Sequence, residues 1–273
     1  MTAYLFFDID GTLVSRTEGL IPGAAEAIRN TRLKGNRCFL CTGRHLGSLR
    51  LADGVERDGI VFCNGAGVFL DGKVIHTSPV PAELVEKTVS LAEKMEGMYS
   101  LQSVFRTFKN EREIARMRAQ QPADPRFDTF EDMMQSFGAS ELSAYEGQDI
   151  LKIDIGFKAP SVMNEFLALL DPALSFTAGA GTNVNLGRKA GEITRADVNK
   201  AAGIRRMMEA VHGDMRSTYA FGDSSNDLEM LKECAYGIAM GNASEEVKRS
   251  ADYVTDDILD DGIYHALMHF NLL

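Results

Sequence analysis

Short apolar runs alternate with longer amphipathic stretches toward both ends of the chain. The apolar runs are YLFFDID, RCFLCTG and GIVFCNG in the first part, and STYAFGD, YGIAMGN and ADYVT in the last part. Amphipathic patterns that predict helices lie at 22–35, 194–212, 225–234, 243–250 and 257–270. Strands that alternate with helices in this way favour a parallel sheet covered by helices. We therefore predict an α/β core built on a parallel sheet.

The middle of the chain has a different pattern. Amphipathic stretches occur at 82–96 and 160–170, strand-like runs occur at 150–157, 174–178 and 183–186, and GAGTNVNLGRKAG has the pattern of a hairpin with a loose return. The PVP motif that ends at Pro81 gives a stiff exit from the first part. We predict an inserted second domain at 82–187 and a core domain made of 1–81 and 188–273.

Composition and charge narrow the possible functions. A chain of 273 residues with 45% hydrophobic residues is typical of a globular protein with one large or two modest domains. The net charge of −10 argues against nucleic acid or an anionic membrane as the main partner. The acidic start MTAYLFFDIDG lacks the basic region of a secretory signal, and no apolar run approaches a membrane span. We expect a cytoplasmic protein, and the oligomeric state stays open.

The four cysteines are predicted to be small buried residues. Cys38 and Cys41 form a CxxC motif inside an apolar run that is predicted to be a strand. Positions three apart on a strand face opposite ways, and neither a second CxxC nor a nearby histidine pair completes a zinc site.

Two aspartates follow the first apolar run, in the motif FFDIDGT. Side chains i and i+2 on a strand point to the same face, so Asp8 and Asp10 are expected to be neighbours. Like charges this close repel unless a cation or a proton separates them. An Asp pair followed by Gly and Thr also suits a simple turn, so this motif alone does not decide between a turn and a site.

A second strand end carries acidic and polar residues, in AFGDSSNDLEML at 220–231. Asp223 follows the apolar run, and Asn226 and Asp227 stand at the start of a predicted helix. Ser225 or Asn226 can cap this helix, but capping does not account for the preceding Asp223 or for Asp227. Because parallel strands end at one edge of a sheet, Asp223 is expected near the first two aspartates.

Two further positions could contribute to the same edge. LCTGR places the hydroxyl of Thr42 and the unhindered backbone of Gly43 after a third strand. Lys200 lies near the start of a helix in DVNKAAGI, a position that on its own suits a solvated helix face.

Four carboxylates at one edge would repel one another without a cation; they belong to Asp8, Asp10, Asp223 and Asp227. Oxygen ligands without His or Cys suit a hard ion such as Mg²⁺. Mg²⁺ beside a lysine and a hydroxyl can hold a phosphoryl group. One carboxylate can be the covalent nucleophile and a second one the acid and base. The residues therefore predict phosphoryl-transfer chemistry.

DxDGT, TGR, a helix lysine and GDxxND, in that order, resemble the motifs of the haloacid dehalogenase (HAD) superfamily of phosphohydrolases. The insertion and the tail AMGNASEEVKRSADYVTDDILDDGI are similar to those of its Cof-type members, which have an α/β (C2-type) cap. The resemblance implies a Rossmann-like, three-layer core with a parallel sheet, and an inserted α/β cap domain that sets substrate specificity.

The resemblance also implies the catalytic and metal-binding residues. Asp8 would be the nucleophile and a metal ligand. Asp10 would be the general acid and base, and its backbone carbonyl would also bind Mg²⁺. Asp223 would be a further metal ligand.

Other motif residues would bind the substrate or support the site. By resemblance, Thr42 would hydrogen-bond the phosphoryl group, and Lys200 would neutralise the charges of both the phosphoryl group and Asp8. Asn226 would both contact the substrate and support the site, whereas Gly43 and Asp227 would only support the site.

Three other stretches have weaker claims to function. Lys189 is a rival to Lys200 for the role of the helix lysine, and NGAG at 64–67 is interpreted as a turn. A basic cluster in the insertion suits either a solvated helix face or a cap that meets anionic substrates; its members are Arg106, Lys109, Arg112, Arg116 and Arg118.

The expected function is a magnesium-dependent phosphatase that hydrolyses a small phosphorylated metabolite, such as a sugar phosphate, through an aspartyl-phosphate. Phosphotransferase or phosphomutase chemistry of the same superfamily is the alternative, and analysis of the products separates the two. A phospho-acceptor signalling module is disfavoured because such modules are short, carry the acceptor on a later strand and need no cap. The sequence does not identify the substrate.

Overall fold

The structure is a computed structural model that describes residues 2–120, 128–178 and 190–273. The predicted strand at 183–186, the domain boundary at 187/188, the rival Lys189 and most of GAGTNVNLGRKAG lie outside the described residues.

The strands of the described residues are, in chain order, β1 (Tyr4–Phe7), β2 (Val14–Ser15), β3 (Gly19–Leu20), β4 (Arg37–Cys41), β5 (Gly59–Phe62), β6 (Gly67–Leu70), β7 (Lys73–Thr77), β8 (Met98–Gln102), β9 (Thr107–Lys109), β10 (Ala139–Glu141), β11 (Lys152–Gly156), β12 (Leu174–Ala178), β13 (Ala190–Arg195), β14 (Thr218–Gly222), β15 (Tyr236–Ala239) and β16 (Tyr253–Val254). The α-helices in the same ranges are α1 (Pro22–Leu33), α2 (Ala82–Lys94), α3 (Glu111–Gln120), α4 (Phe130–Ser136), α5 (Pro160–Leu169), α6 (Lys200–Ala210), α7 (Leu228–Glu233), α8 (Glu245–Ser250) and α9 (Gly262–His269). None of these helices combines the length and apolar character that crossing a bilayer requires.

The chain divides into two compact units. The first contains the residues up to Gly43, Arg50–His76 and Asn199–Leu273, and the second contains Arg44–Leu49 and Thr77–Val198. The second unit is therefore inserted between parts of the first. It also includes three stretches that the sequence-based division assigned to the core domain: Arg44–Leu49 and residues 77–81 and 190–198.

The first unit is built on an eight-stranded sheet with the order β16-β15-β14-β1-β4-β5-β6-β7. Neighbouring strands from β16 to β5 are parallel, and β6 runs antiparallel to β5. On one face, Phe6 and Phe39 are stacked and pack in a cluster with Ile204 of α6 and Leu231 of α7. The helices α1 and α9 pack together, and α1 also contacts β4. The predicted parallel α/β core is confirmed.

The second unit contains a six-stranded sheet with the order β10-β9-β8-β11-β13-β12, in which all neighbours except β10 and β9 are antiparallel. Alternation along β8 and β11 gives this sheet two different faces. Apolar side chains of one face form a core with α2 and α5; they include Tyr99, Leu101, Phe108, Ile153 and Phe166. The other face is polar: Gln102 donates to Asp154 Oδ2 at 2.6 Å, and the buried Lys152 forms an ion pair with Glu192.

One predicted helix begins later than its pattern suggests. The helical pattern was placed from residue 194, but residues up to Arg195 belong to β13, which pairs with β11 and β12. The helix α6 begins at Lys200, because the Asn199 side chain accepts a hydrogen bond from the backbone N–H of Ala202 at 2.8 Å. An Asn in this position caps a helix, so the start of α6 is fixed by a local polar contact.

Candidate active site

Three neighbouring strands bring predicted site residues to one edge of the first sheet. The residue before Asp8 is in register with Leu40 of β4 and with Phe221 of β14. Thr42 and Asp223 follow these aligned positions by two residues each. Because parallel strands deliver their C-terminal ends to one edge, the three side chains start from the same side of the sheet.

Lys200 lies in the first turn of α6, and its side chain is 0% exposed. Its Nζ donates to Asp8 Oδ1 at 2.6 Å and to Asp227 Oδ1 at 2.5 Å. Burial favours the neutral amine, but the charges of Asp227 and Asp8 hold the pKa of Lys200 above its ordinary value. Lys200 is therefore a buried cation between two carboxylates, and its alternative interpretation as part of a solvated helix face is excluded.

Asp227 uses both carboxylate oxygens in contacts within the protein. While Oδ1 accepts from Lys200, Oδ2 accepts from the backbone N–H groups of Asp223 at 3.0 Å and Ser224 at 2.9 Å. A Cβ at Gly222 would overlap this carboxyl group, so the turn requires glycine there. Asp227 therefore orders the turn that carries Asp223.

The carboxyl groups of Asp8 and Asp223 lie in surroundings that disfavour their charge. Burial raises the pKa of Asp8 well above its ordinary value; Lys200 opposes this effect, and the neighbouring carboxylates reinforce it. Burial, followed by the charge of Asp227, raises the pKa of Asp223 to about 7. The charge of Asp10 acts in the same direction on both groups. A further cation would allow both carboxylates to ionise at neutral pH.

The carboxylates are close enough together to hold a metal ion. Oxygen atoms of Asp8, Asp223 and Asp227 all lie within 4.8 Å of one another. Because Asp227 already accepts hydrogen bonds on both oxygens, Asp8 and Asp223 are the two members of the group best able to bind a cation. A donor set of carboxylate oxygens suits a hard divalent ion. The residues present therefore fit the metal that the sequence implied.

The turn after β1 holds Asp10 and brings the backbone close to Asp223. Gly11 has a φ of 88°, and a Cβ at this position would overlap the Asp223 carboxyl group. The next residue, Thr12, donates from its hydroxyl to Asp223 Oδ1 at 3.5 Å. Asp10 has an exposed side chain, in contrast to the buried Asp8. The glycine of DxDGT is therefore required both by its positive φ and by the approach of a site carboxylate.

Thr42 and Asn226 are connected through Asn64. The Thr42 backbone N–H donates to Val61 O at 2.9 Å, and its carbonyl accepts from Asn64 N at 3.0 Å. The side chain of Asn64 in turn accepts from Asn226 Nδ2 at 3.2 Å. Ser224 Oγ donates to the other end of the Asn226 amide at 2.6 Å. This chain of contacts fixes Thr42 and Asn226 relative to each other.

Two asparagines of this edge were missed by the sequence reasoning. Asn64 was interpreted as part of a glycine-rich turn, and Asn242 was not considered. Asn242 Nδ2 donates to Gly11 O at 2.8 Å, and its Oδ1 accepts from Ile258 N at 3.0 Å. Both residues follow strands of the same parallel sheet, β5 and β15, so the rule that located Asp8 and Asp223 could also have found them.

The basic cluster predicted in the insertion is largely engaged within the protein. Arg112 forms an ion pair with Glu93 at 2.6 Å, and Arg116 forms one with Glu113. The buried Lys109 donates to Ser100 Oγ at 3.1 Å. Three of the five basic side chains that were considered for binding anionic substrates are therefore already paired with groups of the protein.

The four cysteines are buried free thiols, as predicted. Cys38 and Cys41 both lie in β4. Burial raises the pKa of both thiols, which disfavours the thiolate that metal binding or redox chemistry would need. The CxxC motif is therefore structural.

Comparison with known proteins identifies the family. Residues 5–267 match the model of the haloacid dehalogenase-like hydrolases. The chain is 27% identical to 5-amino-6-(5-phospho-D-ribitylamino)uracil phosphatase YcsE of Bacillus subtilis, over 97% of this chain and 94% of that protein. Among solved structures, the phosphatase BT1666 of Bacteroides thetaiotaomicron has a TM-score of 0.81 at 27% identity, covering 100% of this chain and 96% of that one.

A second solved structure is similar over the full length of both chains. The sugar phosphatase BT4131 of HAD subclass IIB has a TM-score of 0.80 at 26% identity, and the match covers 100% of each chain. The predicted Cof-type resemblance and the predicted fold, a Rossmann-like core with an added α/β cap, are confirmed. This chain belongs to the haloacid dehalogenase-like hydrolases and is a phosphatase of that family.

Proposed function

We propose that the protein is a magnesium-dependent phosphatase that hydrolyses a small phosphorylated metabolite, such as a sugar phosphate, through an aspartyl-phosphate on Asp8. The observation that carries the proposal is the contact of Asp8 with the fully buried Lys200, beside the carboxylates of Asp223 and Asp227. A buried nucleophilic carboxylate needs positive charge to stay ionised, and the transferring phosphoryl group needs the same charge.

Each residue has a defined task in the proposed reaction. The Asp8 carboxylate attacks phosphorus, and the bond from phosphorus to the leaving oxygen breaks as Asp10 gives that oxygen a proton. Asp10 then takes a proton from water, and the water oxygen attacks the aspartyl-phosphate to release phosphate and restore Asp8. The Thr42 hydroxyl and Lys200 Nζ bind the phosphoryl oxygens.

The other site residues hold this arrangement in place. Asp8, the Asp10 carbonyl and Asp223 would hold Mg²⁺, which when bound supplies positive charge to the phosphoryl oxygens. Asn226 is oriented by Ser224 and Asn64 so that its amide can contact the substrate. Asp227 orients Lys200 through its hydrogen bond. Gly43 has no side chain to obstruct the approach of a ligand to the backbone after Thr42.

The second unit is proposed to be the cap that selects the substrate. BT4131 is a sugar phosphatase and YcsE acts on a phosphorylated ribityl compound, so related chains accept phosphate esters of hydroxyl-rich molecules. The polar face of the second sheet, with Gln102, Lys152 and Asp154, has groups that bind hydroxyls. A cytoplasmic location stays part of the proposal, and four free thiols suit a reducing compartment.

Phosphomutase or other phosphotransferase chemistry remains the alternative within the family. It would use the same nucleophile but return the phosphoryl group to an organic hydroxyl instead of water. Free phosphate as the product supports the proposal, and an isomerised ester would favour the alternative. A signalling module is disfavoured because the nucleophile lies after the first strand and a second unit is inserted.

Removal of magnesium is expected to abolish activity. Chelation should stop the hydrolysis of nitrophenyl phosphate, and added Mg²⁺ should restore it, because the ionised carboxylates need the cation. Asp223→Asn should raise the Mg²⁺ concentration needed for half-maximal activity by about tenfold or more, since a charged ligand is lost. The shift in Tm caused by Mg²⁺ should shrink in parallel.

Asp53→Asn is the matched control, because Asp53 is exposed and belongs to neither the carboxylate group nor the phosphate-binding residues. Its Mg²⁺ dependence should equal that of the wild-type protein. Full activity of the metal-free wild-type protein would refute the proposed dependence on Mg²⁺.

Removal of Asp10 is expected to separate the two halves of the reaction. Nitrophenolate leaves without much help from an acid, whereas a sugar alkoxide needs a proton. Asp10→Ala should therefore release nitrophenol once per enzyme molecule and then stall, because no base remains to activate water. The same variant should give no burst with a sugar phosphate. Rapid-mixing kinetics measures both, and equal bursts on the two substrates would rule out Asp10 as the acid.

A further inference from the structure

The loop that follows β15 contacts the turn that follows β1, and both belong to the first unit. The backbone of this loop is held on two sides. The Met240 N–H donates to Gly222 O at 3.0 Å, and the Gly241 N–H donates to Asp256 O at 2.9 Å. A Cβ at Gly241 would lie 2.5 Å from Asp256 C, so the loop packs closely against the residues that precede α9. The next residue, Asn242, is therefore carried by a fixed backbone.

The side chain of Asn242 joins this loop to the turn after β1. Its Nδ2 donates to Gly11 O at 2.8 Å, and its Oδ1 accepts from Ile258 N at 3.0 Å. Because a backbone carbonyl only accepts and a backbone N–H only donates, the two contacts fix which end of the amide faces Gly11. Asn242 is exposed, so water can replace a contact that a substitution removes, and variants at this position should fold.

Gly11 links two peptide groups of the turn after β1. The N–H of the Asp10–Gly11 peptide donates to Val14 O at 2.9 Å, and the carbonyl of the same planar group belongs to Asp10. The next peptide is held at its carbonyl by Asn242 at 2.8 Å and at its N–H by Ile9 O at a longer 3.3 Å. Gly11, with a φ of 88°, lies between the two groups, and glycine restricts its own φ and ψ little. The turn therefore depends on these hydrogen bonds, and Asn242 makes the shorter one on the second peptide.

We propose that Asn242 is a positioning residue for Asp10, because its hydrogen bond to the Gly11 carbonyl holds the turn that directs the Asp10 carbonyl and carboxylate. The inference rests on the proposed function, in which Asp10 transfers protons and its carbonyl helps to hold Mg²⁺. The Asp10 side chain is exposed, so the backbone has a larger share in directing it than packing has. A displacement of about 1 Å in such a group can cost about 100-fold in rate.

Two substitutions separate this role from a structural one, in which Asn242 only ties Ile258 to the loop after β15. Asn242→Asp keeps an oxygen for the Ile258 N–H but replaces the donor to Gly11 with a second oxygen, which repels the carbonyl. Asn242→Ala removes both contacts. A role that acts through Gly11 should show in both variants, whereas a role that acts through Ile258 should show only in Asn242→Ala.

The first measurement is Mg²⁺ binding, by calorimetric titration and by the shift in Tm that Mg²⁺ causes. Both variants should bind Mg²⁺ about tenfold more weakly than the wild-type protein, because a residue that orients a metal ligand is lost. The added charge of Asn242→Asp acts in the opposite direction, since a carboxylate attracts the cation. Titration in 1 M KCl, where the Debye length is about 3 Å, screens this attraction.

The second measurement compares leaving groups, because a general structural defect would not distinguish them. In both variants, kcat/KM should fall by about tenfold more for a sugar phosphate than for nitrophenyl phosphate, since nitrophenolate needs little help from Asp10. Equal losses on the two substrates would overturn the proposal. Wild-type behaviour of Asn242→Asp in either measurement would overturn it as well.

Asn36→Asp is the matched control for the added charge and the lost donor. The Asn36 side chain also uses both ends of its amide: Oδ1 accepts from Ala3 N at 3.0 Å, and Nδ2 donates to Thr31 Oγ1 at 2.9 Å. Asn36 lies between α1 and β4, away from the strand ends that carry the predicted site residues. Its Mg²⁺ binding and both values of kcat/KM should stay within about twofold of those of the wild-type protein.

The two measurements also separate this role from the proposed reaction. A wild-type protein that binds Mg²⁺ but hydrolyses no ester would contradict the proposed reaction, while the Mg²⁺ titrations of the two Asn242 variants would still decide whether Asn242 holds the turn. A wild-type protein that hydrolyses esters without Mg²⁺ would contradict the proposed metal, and the comparison of leaving groups would then decide the role of Asn242.

Discussion

Asp8→Asn is expected to abolish turnover of all phosphate esters, by about 10⁴-fold or more, because the amide cannot serve as the nucleophile. The buried ion pair with Lys200 is lost, but Lys200 keeps its second partner, Asp227. Since burial already disfavours the charged form of Asp8, the neutral amide should leave the fold intact. Steady-state and rapid-mixing kinetics on nitrophenyl phosphate should give neither turnover nor a burst.

The decisive comparison is with Asp10→Ala, which lacks a carboxylate from the same motif but keeps the nucleophile. That variant should form one covalent phosphoryl group per enzyme molecule, detectable as a mass increase after acid quenching, and Asp8→Asn should form none. The exposed Asp53→Asn provides a variant with wild-type turnover. Steady hydrolysis by Asp8→Asn would refute covalent catalysis at this residue.

Lys200→Met is expected to remove activity and to destabilise the protein by about 3–5 kcal/mol, because it leaves two buried carboxylates without their cation. Thermal unfolding and urea titration of the metal-free protein would measure the loss. The pKa of Asp8 is raised in the folded state, so protonated Asp8 favours folding. This contribution to the stability of the protein is lost as the pH rises through the pKa that Asp8 has in the folded state. The deficit of the variant should therefore be largest at neutral pH and should shrink as the pH falls.

Two controls accompany this experiment. Lys34→Met removes an exposed lysine and should change the free energy of unfolding little. Adding Asp227→Asn to Lys200→Met should recover part of the lost stability, because one of the two unpaired charges is gone. A Lys200→Met protein as stable as the wild type at neutral pH would show that the lysine is dispensable for holding these carboxylates.

The sequence was sufficient to predict the parallel core and the edge at which the polar residues meet. The sequence shows where each strand ends and which polar residues follow it. Because parallel strands end at the same edge of a sheet, these residues are predicted to lie near one another. The same rule applies to Asn64 and Asn242 but was not followed there, because the glycine-rich NGAG sequence suggested a simple turn at Asn64 and Asn242 was not considered. The missing step was to treat every polar residue after a parallel strand as a member of the same edge.

Contacts between distant parts of the chain were not predictable in this way. The pairing of Lys200 with Asp8 joins residues 192 positions apart, and only the family resemblance suggested it. The attachment of Arg44–Leu49 to the second unit depends on the backbone of Val104 and Phe137, which has no sequence signature. The insertion was also under-predicted, because short strands such as β9 and β10 are too brief to produce a clear alternation.

The position of β1 in the first sheet has a consequence for how the protein is made. β1 lies between β4, which is synthesised soon after it, and β14, which begins only at Thr218. On the ribosome, one edge of this apolar strand therefore stays unpaired while nearly all of the second unit emerges, and unpaired edges invite aggregation. The second unit can complete its own sheet before β14 exists, since its strands end at Arg195. β1 is synthesised before every strand of the second unit, and the sheet that contains β1 can close only after those strands have been made.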